Sequence, residues 1–235
     1  MHDNKNCVLE PEGFMEVIGQ FTSQFEIGQQ QDAQEFLVYL LDQVHEDLNR
    51  ASKKSEREDK GKVESKNLSS LGAEEAAKNA WKNYLIDNKS IIVDIFQGQI
   101  RSLLRCKECN NSSLTFDPVM YFSLPFPENL PADKEVSVVD LINEFTKAEQ
   151  LESKMSCKVC EKKSFYEKKI DLWKAPNILI IHLKRFKFSR EQQGVASKIR
   201  NSVSYPLRDL DLSEFVIGFQ RLKPQYNLFA VCVCI

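Results

Sequence analysis

Two Cys-x-x-Cys pairs, Cys106/Cys109 and Cys157/Cys160, constrain this chain more than any other feature. Such a turn presents two thiols on one side, half of a tetrahedral thiolate site for zinc. Cys106-Lys107-Glu108-Cys109 joins two strand-like segments, and Cys157-Lys158-Val159-Cys160 does the same. Two knuckles at the tips of paired hairpins would close one four-cysteine site. The segment 110–156 between them exceeds the ~15–20 residues of a compact zinc ribbon. It holds a helical pattern and strand-like stretches, which can fold back and bring the pairs together. Redox-active or inert buried cysteines are the competing readings. A redox pair opens a helix after a strand, and neither pair has that setting. The expectation is a structural zinc on Cys106, Cys109, Cys157 and Cys160, closed to further ligands and so not catalytic.

Composition narrows the rest. Lys and Arg number 32 against 34 Asp and Glu, a net charge of −2. A dedicated nucleic-acid binder needs a basic excess to neutralise phosphates, so nucleic acid is not an expected partner. Only 8 residues are glycine, and neither GxGxxG nor GxxxxGK[ST] occurs, which excludes the usual phosphate-cradling loops. GxSxG is absent too. His45-Glu46 opens like HExxH, but Asn49 stands where the second His belongs. The start, MHDNKNCVLE, is too polar for a signal peptide. No apolar run approaches the ~20 residues of a membrane span. An intracellular location, cytoplasmic or nuclear, is expected, and there thiols stay reduced and available to metal.

Apolar periodicity supplies the elements. Phe14, Val17, Ile18 and Phe21 fall at helical spacing within 11–21. Phe36, Leu37, Leu40, Leu41, Val44 and Leu48 form the strongest stripe, over 32–49, one helix face against a core. Ten of the fourteen residues 53–66 are charged, with mixed sign, so this stretch reads as a solvated loop. A further helix is expected over 73–85. From Ser90 the texture turns to β: 91–104 leading into Cys106, then 114–124, 156–173, 177–188, 198–205 and 226–235, with a short helix at 136–145. Helices followed by mostly antiparallel strands predict an α+β fold.

Several blocks together resemble one family. GQQQDAQEFLVYLLDQVHEDLNR (28–50) resembles the QQD box of the ubiquitin-specific proteases, papain-like cysteine deubiquitinases with thumb, palm and fingers. FQGQIRSLLRCKEC (96–109) and YFSLPFP (121–127) resemble the entry to the fingers. CKVC (157–160) resembles the second knuckle, and KAPNILIIHLKRF (174–186) the strand box ending in LKRF. YPLRDLDLSEFV (205–216) and YNLFAV (226–231) resemble the approach to the histidine box. HEDLNR, SIIVDIFQGQ and LDLSEFVIG are most similar to the subgroup of ubiquitin carboxyl-terminal hydrolase 8.

The resemblance implies a papain-like fold of palm and zinc-ribbon fingers, with the thumb partly missing and the domain incomplete at both ends. The implied division is 1–52 thumb-type helices, 53–70 charged loop, 71–90 helix, 91–175 fingers and 176–235 palm strands. It implies hydrolysis of ubiquitin isopeptide bonds by a thiol, with ubiquitin and ubiquitinated proteins as partners. Gln31, Asp32 and Glu35 are the implied contacts to the basic ubiquitin tail. Asp and Glu in a first helical turn also suit the helix dipole without any ligand. The family's nucleophile box, GNTCYxN, has no counterpart: Cys7 sits in KNCVLEP. Its GGHYT-type base box has none either. Thiol catalysis needs nucleophile, base and orienting group within hydrogen-bond reach, so no catalytic residue is assigned and inactivity of these residues alone is expected. The alternative is a non-catalytic ubiquitin-binding module.

Overall fold

The computed structural model describes residues 11–25, 28, 31–51, 72–188 and 196–232. They divide into two compact units, one drawn from 1–44 with 232–235, the other from 45–231. The charged stretch 53–66 lies outside the described residues.

In the first unit, α1 (Glu12–Phe21) starts after Pro11, and α2 (Ala33–Asp47) runs on into the second unit. Between them Gly28 holds φ +86°, which a side chain would oppose. Phe25 is buried and meets Phe36 edge-on at 5.1 Å and Tyr39 at 5.3 Å. Phe14 reaches Phe36 at 6.3 Å. The stripe expected to face a core does so only in part. His45 is the buried residue of α2, while Leu37 and Val44 are exposed, as is Leu48 beyond its end.

The second unit opens with α3 (Ala73–Asp87) and α4 (Ile91–Phe96). The β reading from Ser90 is wrong for the first six residues. Ser90 is a buried N-cap whose hydroxyl accepts the Val93 N–H. That cap and the burial of Ile92 and Val93 outweigh the strand preference of a β-branched run.

A sheet of order β2-β1-β8-β5 forms the centre, from β1 (Gly98–Cys106), β2 (Ser112–Val119), β5 (Glu149–Gln150) and β8 (Tyr166–Lys174), all antiparallel. Gly98 begins β1 where a Cβ would lie 2.6 Å from the Lys174 carbonyl. β3 (Tyr121–Leu124) pairs in parallel with β9 (Ile180–Leu183). β4 (Val136–Ser137) leads into α5 (Val138–Thr146), whose start is a reciprocal cap between Ser137 and Asp140. β6 (Met155–Ser156) and β7 (Lys163–Ser164) make a short hairpin. The stretch 177–188 is not one buried strand: β9 is half-buried, the ladder breaks at Lys184-Arg185, and β10 (Phe186–Phe188) pairs with β11 (Ala196–Lys198). Arg185 donates to the carbonyls of Ile199 and Asn201.

β12 (Val203–Ser204) lies parallel to β4, and β13 (Leu210–Asp211) pairs with β14 (Gln225–Tyr226). Among the described residues, the strand expected over 226–235 is present only at Tyr226. Residues 227–232 join no ladder, and Phe229 is 79% exposed. The main core sits between α5 and β3, β8 and β9, around Phe122, Leu124, Leu141, Ile142, Leu172 and Leu212.

Candidate metal centre

Each pair of cysteines lies at a hairpin tip. Cys106 ends β1, and the turn to β2 carries Cys109; Cys157 and Cys160 lie in the turn from β6 to β7. The two turns repeat one geometry. The Asn110 N–H returns to the Cys106 carbonyl and the Glu161 N–H to the Cys157 carbonyl, each at 2.9 Å. Asn110 and Glu161 both take left-handed φ, 57° and 59°. The β1–β8 ladder then lays one turn beside the other, with Cys106 opposite Tyr166 and Lys107 N–H on the Phe165 carbonyl at 3.0 Å.

The ligand atoms of all four cysteines fall within 4.8 Å of one another, and Cys109 Sγ is 3.7 Å from Cys157 Sγ. A tetrahedral zinc with Zn–S of about 2.3 Å requires sulfur–sulfur edges of about 3.8 Å. The donor set therefore fits that ion. Cys106 and Cys157 are buried, Cys109 and Cys160 half-buried.

The surroundings favour negative sulfur at two positions and resist it at a third. A hydrogen bond from the Ser164 hydroxyl lowers the Cys106 thiol, helped by the Cys109 N–H. The Cys160 N–H, then the Tyr166 hydroxyl and the Val159 N–H, bring Cys157 down to about 6. At Cys109 the Asn111 N–H favours the thiolate, but burial and the sulfurs of Cys106, Cys157 and Cys160 outweigh it and push the thiol up to about 11. A bound divalent cation removes that conflict between neighbouring thiolates.

The residues assigned to the ubiquitin tail stand at the start of α2. Gln31 is exposed. Asp32 is half-buried, and its carboxylate accepts the Gln34 N–H at 2.7 Å, a helix-capping bond. Glu35 is exposed and accepts from Gln24 Nε2 at 3.4 Å. Of the histidines, His45 is committed on both ring nitrogens, Nδ1 to Ser90 Oγ at 2.7 Å and Nε2 to Asn88 Oδ1 at 3.2 Å. Asn88 Oδ1 can only accept, so Nε2–H donates to it, and Nδ1 then takes the Ser90 hydroxyl proton while Ser90 Oγ accepts from the Val93 N–H. His182 Nδ1 meets Ser123 Oγ at 2.7 Å. Cys7 and His2 lie outside the described residues. Sequence reasoning missed Ser164 and Tyr166, because only strand register brings them to the sulfurs.

Comparison with known proteins agrees with this architecture. Human ubiquitin carboxyl-terminal hydrolase 2 is 37% identical over 228 residues, covering 96% of this chain and 36% of that protein. Human ubiquitin carboxyl-terminal hydrolase 21 is 34% identical over 245 residues, covering 98% and 42%. Ubiquitin carboxyl-terminal hydrolase 4 of Eremothecium gossypii is 36% identical over 214 residues, covering 90% and 24%. The chain thus spans less than half the length of each of these relatives. A solved SAGA Ubp8/Sgf11/Sus1/Sgf73 DUB module superposes with TM-score 0.56 at 22% identity, over 88% of this chain and 39% of that one. A second structure, of the yeast SAGA module, gives 0.58, also at 22% identity, over 89% and 40%. The fold is therefore that of the ubiquitin-specific proteases. The family model described as ubiquitin carboxyl-terminal hydrolase matches residues 1–234, and this chain belongs to that family.

Proposed function

We propose that this chain supplies the palm and zinc-ribbon fingers of a thiol deubiquitinase, a protein that removes ubiquitin from modified proteins. The family match over residues 1–234 carries this reading. Cys106, Cys109, Cys157 and Cys160 would hold zinc, which cross-links the two turns and leaves no coordination position for substrate. Gln31, Asp32 and Glu35 present amide and carboxylate oxygens that suit the basic tail of ubiquitin, with Asp32 keeping one oxygen free of its cap bond. An intracellular setting, in cytoplasm or nucleus, would keep the four thiols reduced and available to the metal.

A ubiquitin-binding, non-catalytic role for these 235 residues taken alone is favoured by one observation. His45, the histidine of the QQD helix, is buried with both nitrogens bonded to oxygen, so it cannot serve as base for a thiol. Two measurements test the reading together. Titration with ubiquitin should show saturable binding that weakens when Asp32 and Glu35 are replaced by Asn and Gln. A ubiquitin C-terminal fluorogenic substrate should show no turnover above buffer. Absence of binding would refute the partner, and turnover abolished by Cys7→Ser would refute the non-catalytic role.

A further inference from the structure

The lysines around the second knuckle carry charge that the fold leaves unanswered. Lys154, Lys158, Lys162 and Lys163 are all exposed. The run 154–163, KMSCKVCEKK, sets them against one carboxylate, Glu161, a surplus of +3 in a chain whose net charge is −2. Among the described residues, none of the four belongs to an ion pair. The lysines of the stem below do: Lys107 with Glu167 at 4.0 Å, Lys168 with Glu149 at 3.9 Å and Lys169 with Asp171 at 2.8 Å. Ser164 is buried, so Lys163 before it points to the other face of β7, the face that Phe165 shares. The Lys154 ammonium lies there too, 5.0 Å from the centre of the Phe165 ring. Lys158 and Val159 occupy the two positions between Cys157 and Cys160, and Val159 is 63% exposed. Lys162 leaves the turn after the left-handed Glu161. The hairpin thus ends in a convex tip with an apolar point flanked by ammonium groups. The sulfurs lie beneath it, Cys157 buried and Cys160 half-buried.

Three features select the partner. All four cations are lysine, a point charge without the planar fork by which arginine grips a single phosphate or carboxylate. A convex tip suits a plane better than a peptide, which needs a groove or a strand edge. An exposed valine among lysines gains by leaving water. A bilayer with anionic headgroups answers all three. We propose that the tip of the second knuckle docks on an anionic membrane surface, with Val159 entering the headgroup layer and Lys154, Lys158, Lys162 and Lys163 among the acidic lipids. The docking needs no ubiquitin, and zinc enters only by holding the turn.

Cosedimentation of the zinc-loaded chain with lipid vesicles tests this. The chain should bind phosphatidylcholine vesicles in which phosphatidylserine is about a third of the lipid, and not pure phosphatidylcholine. Raising salt from about 0.1 to 1 M, which shortens the Debye length from about 10 to 3 Å, should release it. Lys158→Gln with Lys162→Gln should weaken binding about 25-fold, about fivefold for each charge. Lys154→Gln with Lys163→Gln, outside the turn, should do the same and serves if the first pair fails to fold. Val159→Ser should weaken it about threefold or more. Lys82→Gln with Lys89→Gln removes the same charge from exposed positions elsewhere and should stay within twofold of the parent. No binding to either vesicle, equal binding to both, or equal weakening in the Lys82 and Lys89 control would overturn the proposal. Binding to soluble polyglutamate that falls in the tip lysine variants but not in Val159→Ser would make the partner an acidic polypeptide and overturn it as well.

Discussion

At the scale of single residues, backbone strain and ion pairing give the sharpest expectations. Glu161 closes the second knuckle with φ 59°, where a residue with a Cβ loses about 1–2 kcal/mol. Glycine has no such penalty, so Glu161→Gly should raise the stability of the metal-loaded chain by about 0.5–1 kcal/mol. Glu161→Ala should give no gain, and thermal melts compare the two. Asp211 offers a test by pH. The Lys223 ammonium lies 2.6 Å away, and the Ser213 hydroxyl and N–H also donate to the carboxylate, which brings its pKa down to about 2. A folded value below the unfolded ~3.9 adds stability that is present above pH ~4 and lost as pH falls toward 2. Denaturant curves of Asp211→Asn and the parent should separate above pH 4 and converge near pH 2.

At the scale of elements, the junction between α3 and α4 depends on one hydroxyl. Ser90 is fully buried, caps α4 through the Val93 N–H and faces His45 Nδ1. Asn88, next to it, holds the other nitrogen and donates to the Tyr84 carbonyl. Ser90→Ala removes a cap worth about 1 kcal/mol and strands a buried imidazole nitrogen at a further ~1–3 kcal/mol. A loss of about 2–4 kcal/mol by urea unfolding is expected, and His45→Ala should add little on top of it because both changes break one network. The same junction shows why the β reading of 91–96 fails. Three β-branched residues in a row signal strand, yet a serine just before them supplies the helix start and tertiary burial does the rest.

For the molecule as a whole, the metal and the palm core stabilise different parts. The core around Leu124, Leu141, Leu172 and Leu212 is apolar and lies apart from the sulfur cluster. The β6–β7 hairpin has two-residue strands, and the cluster beside it consists of cysteines with Tyr166, Leu104 and Leu151. Such a hairpin has too little apolar contact to persist without its metal. A strong chelator should release amide protection at 155–164 while protection in β3, β8 and β9 remains, as read by hydrogen exchange. Cys106→Ser should reproduce that pattern without chelator. Simultaneous loss of protection in both regions would show that the metal supports the entire second unit.

What the sequence determined by itself was local and chemical. Thiol spacing placed two knuckles at hairpin tips, and apolar periodicity placed α1, α2, α3 and α5 to within a few residues, because helix periodicity and Cys-x-x-Cys turns depend on neighbours in the chain. The blocks from QQD to LKRF pointed to the family. The tertiary structure alone decided the rest. The register of β1 with β8 carries Tyr166 and Ser164 to the sulfurs, a placement set by hydrogen bonds between residues more than fifty positions apart. The parallel pairing of β3 with β9 and of β4 with β12 has no sequence signal either. Whether an apolar stripe is buried depends on what packs against it, so Leu37, Val44 and Phe229 could be read as apolar but not as exposed. Strand pairing of the apolar run after Tyr226 needs a partner edge, and a β-rich sequence cannot provide one by itself.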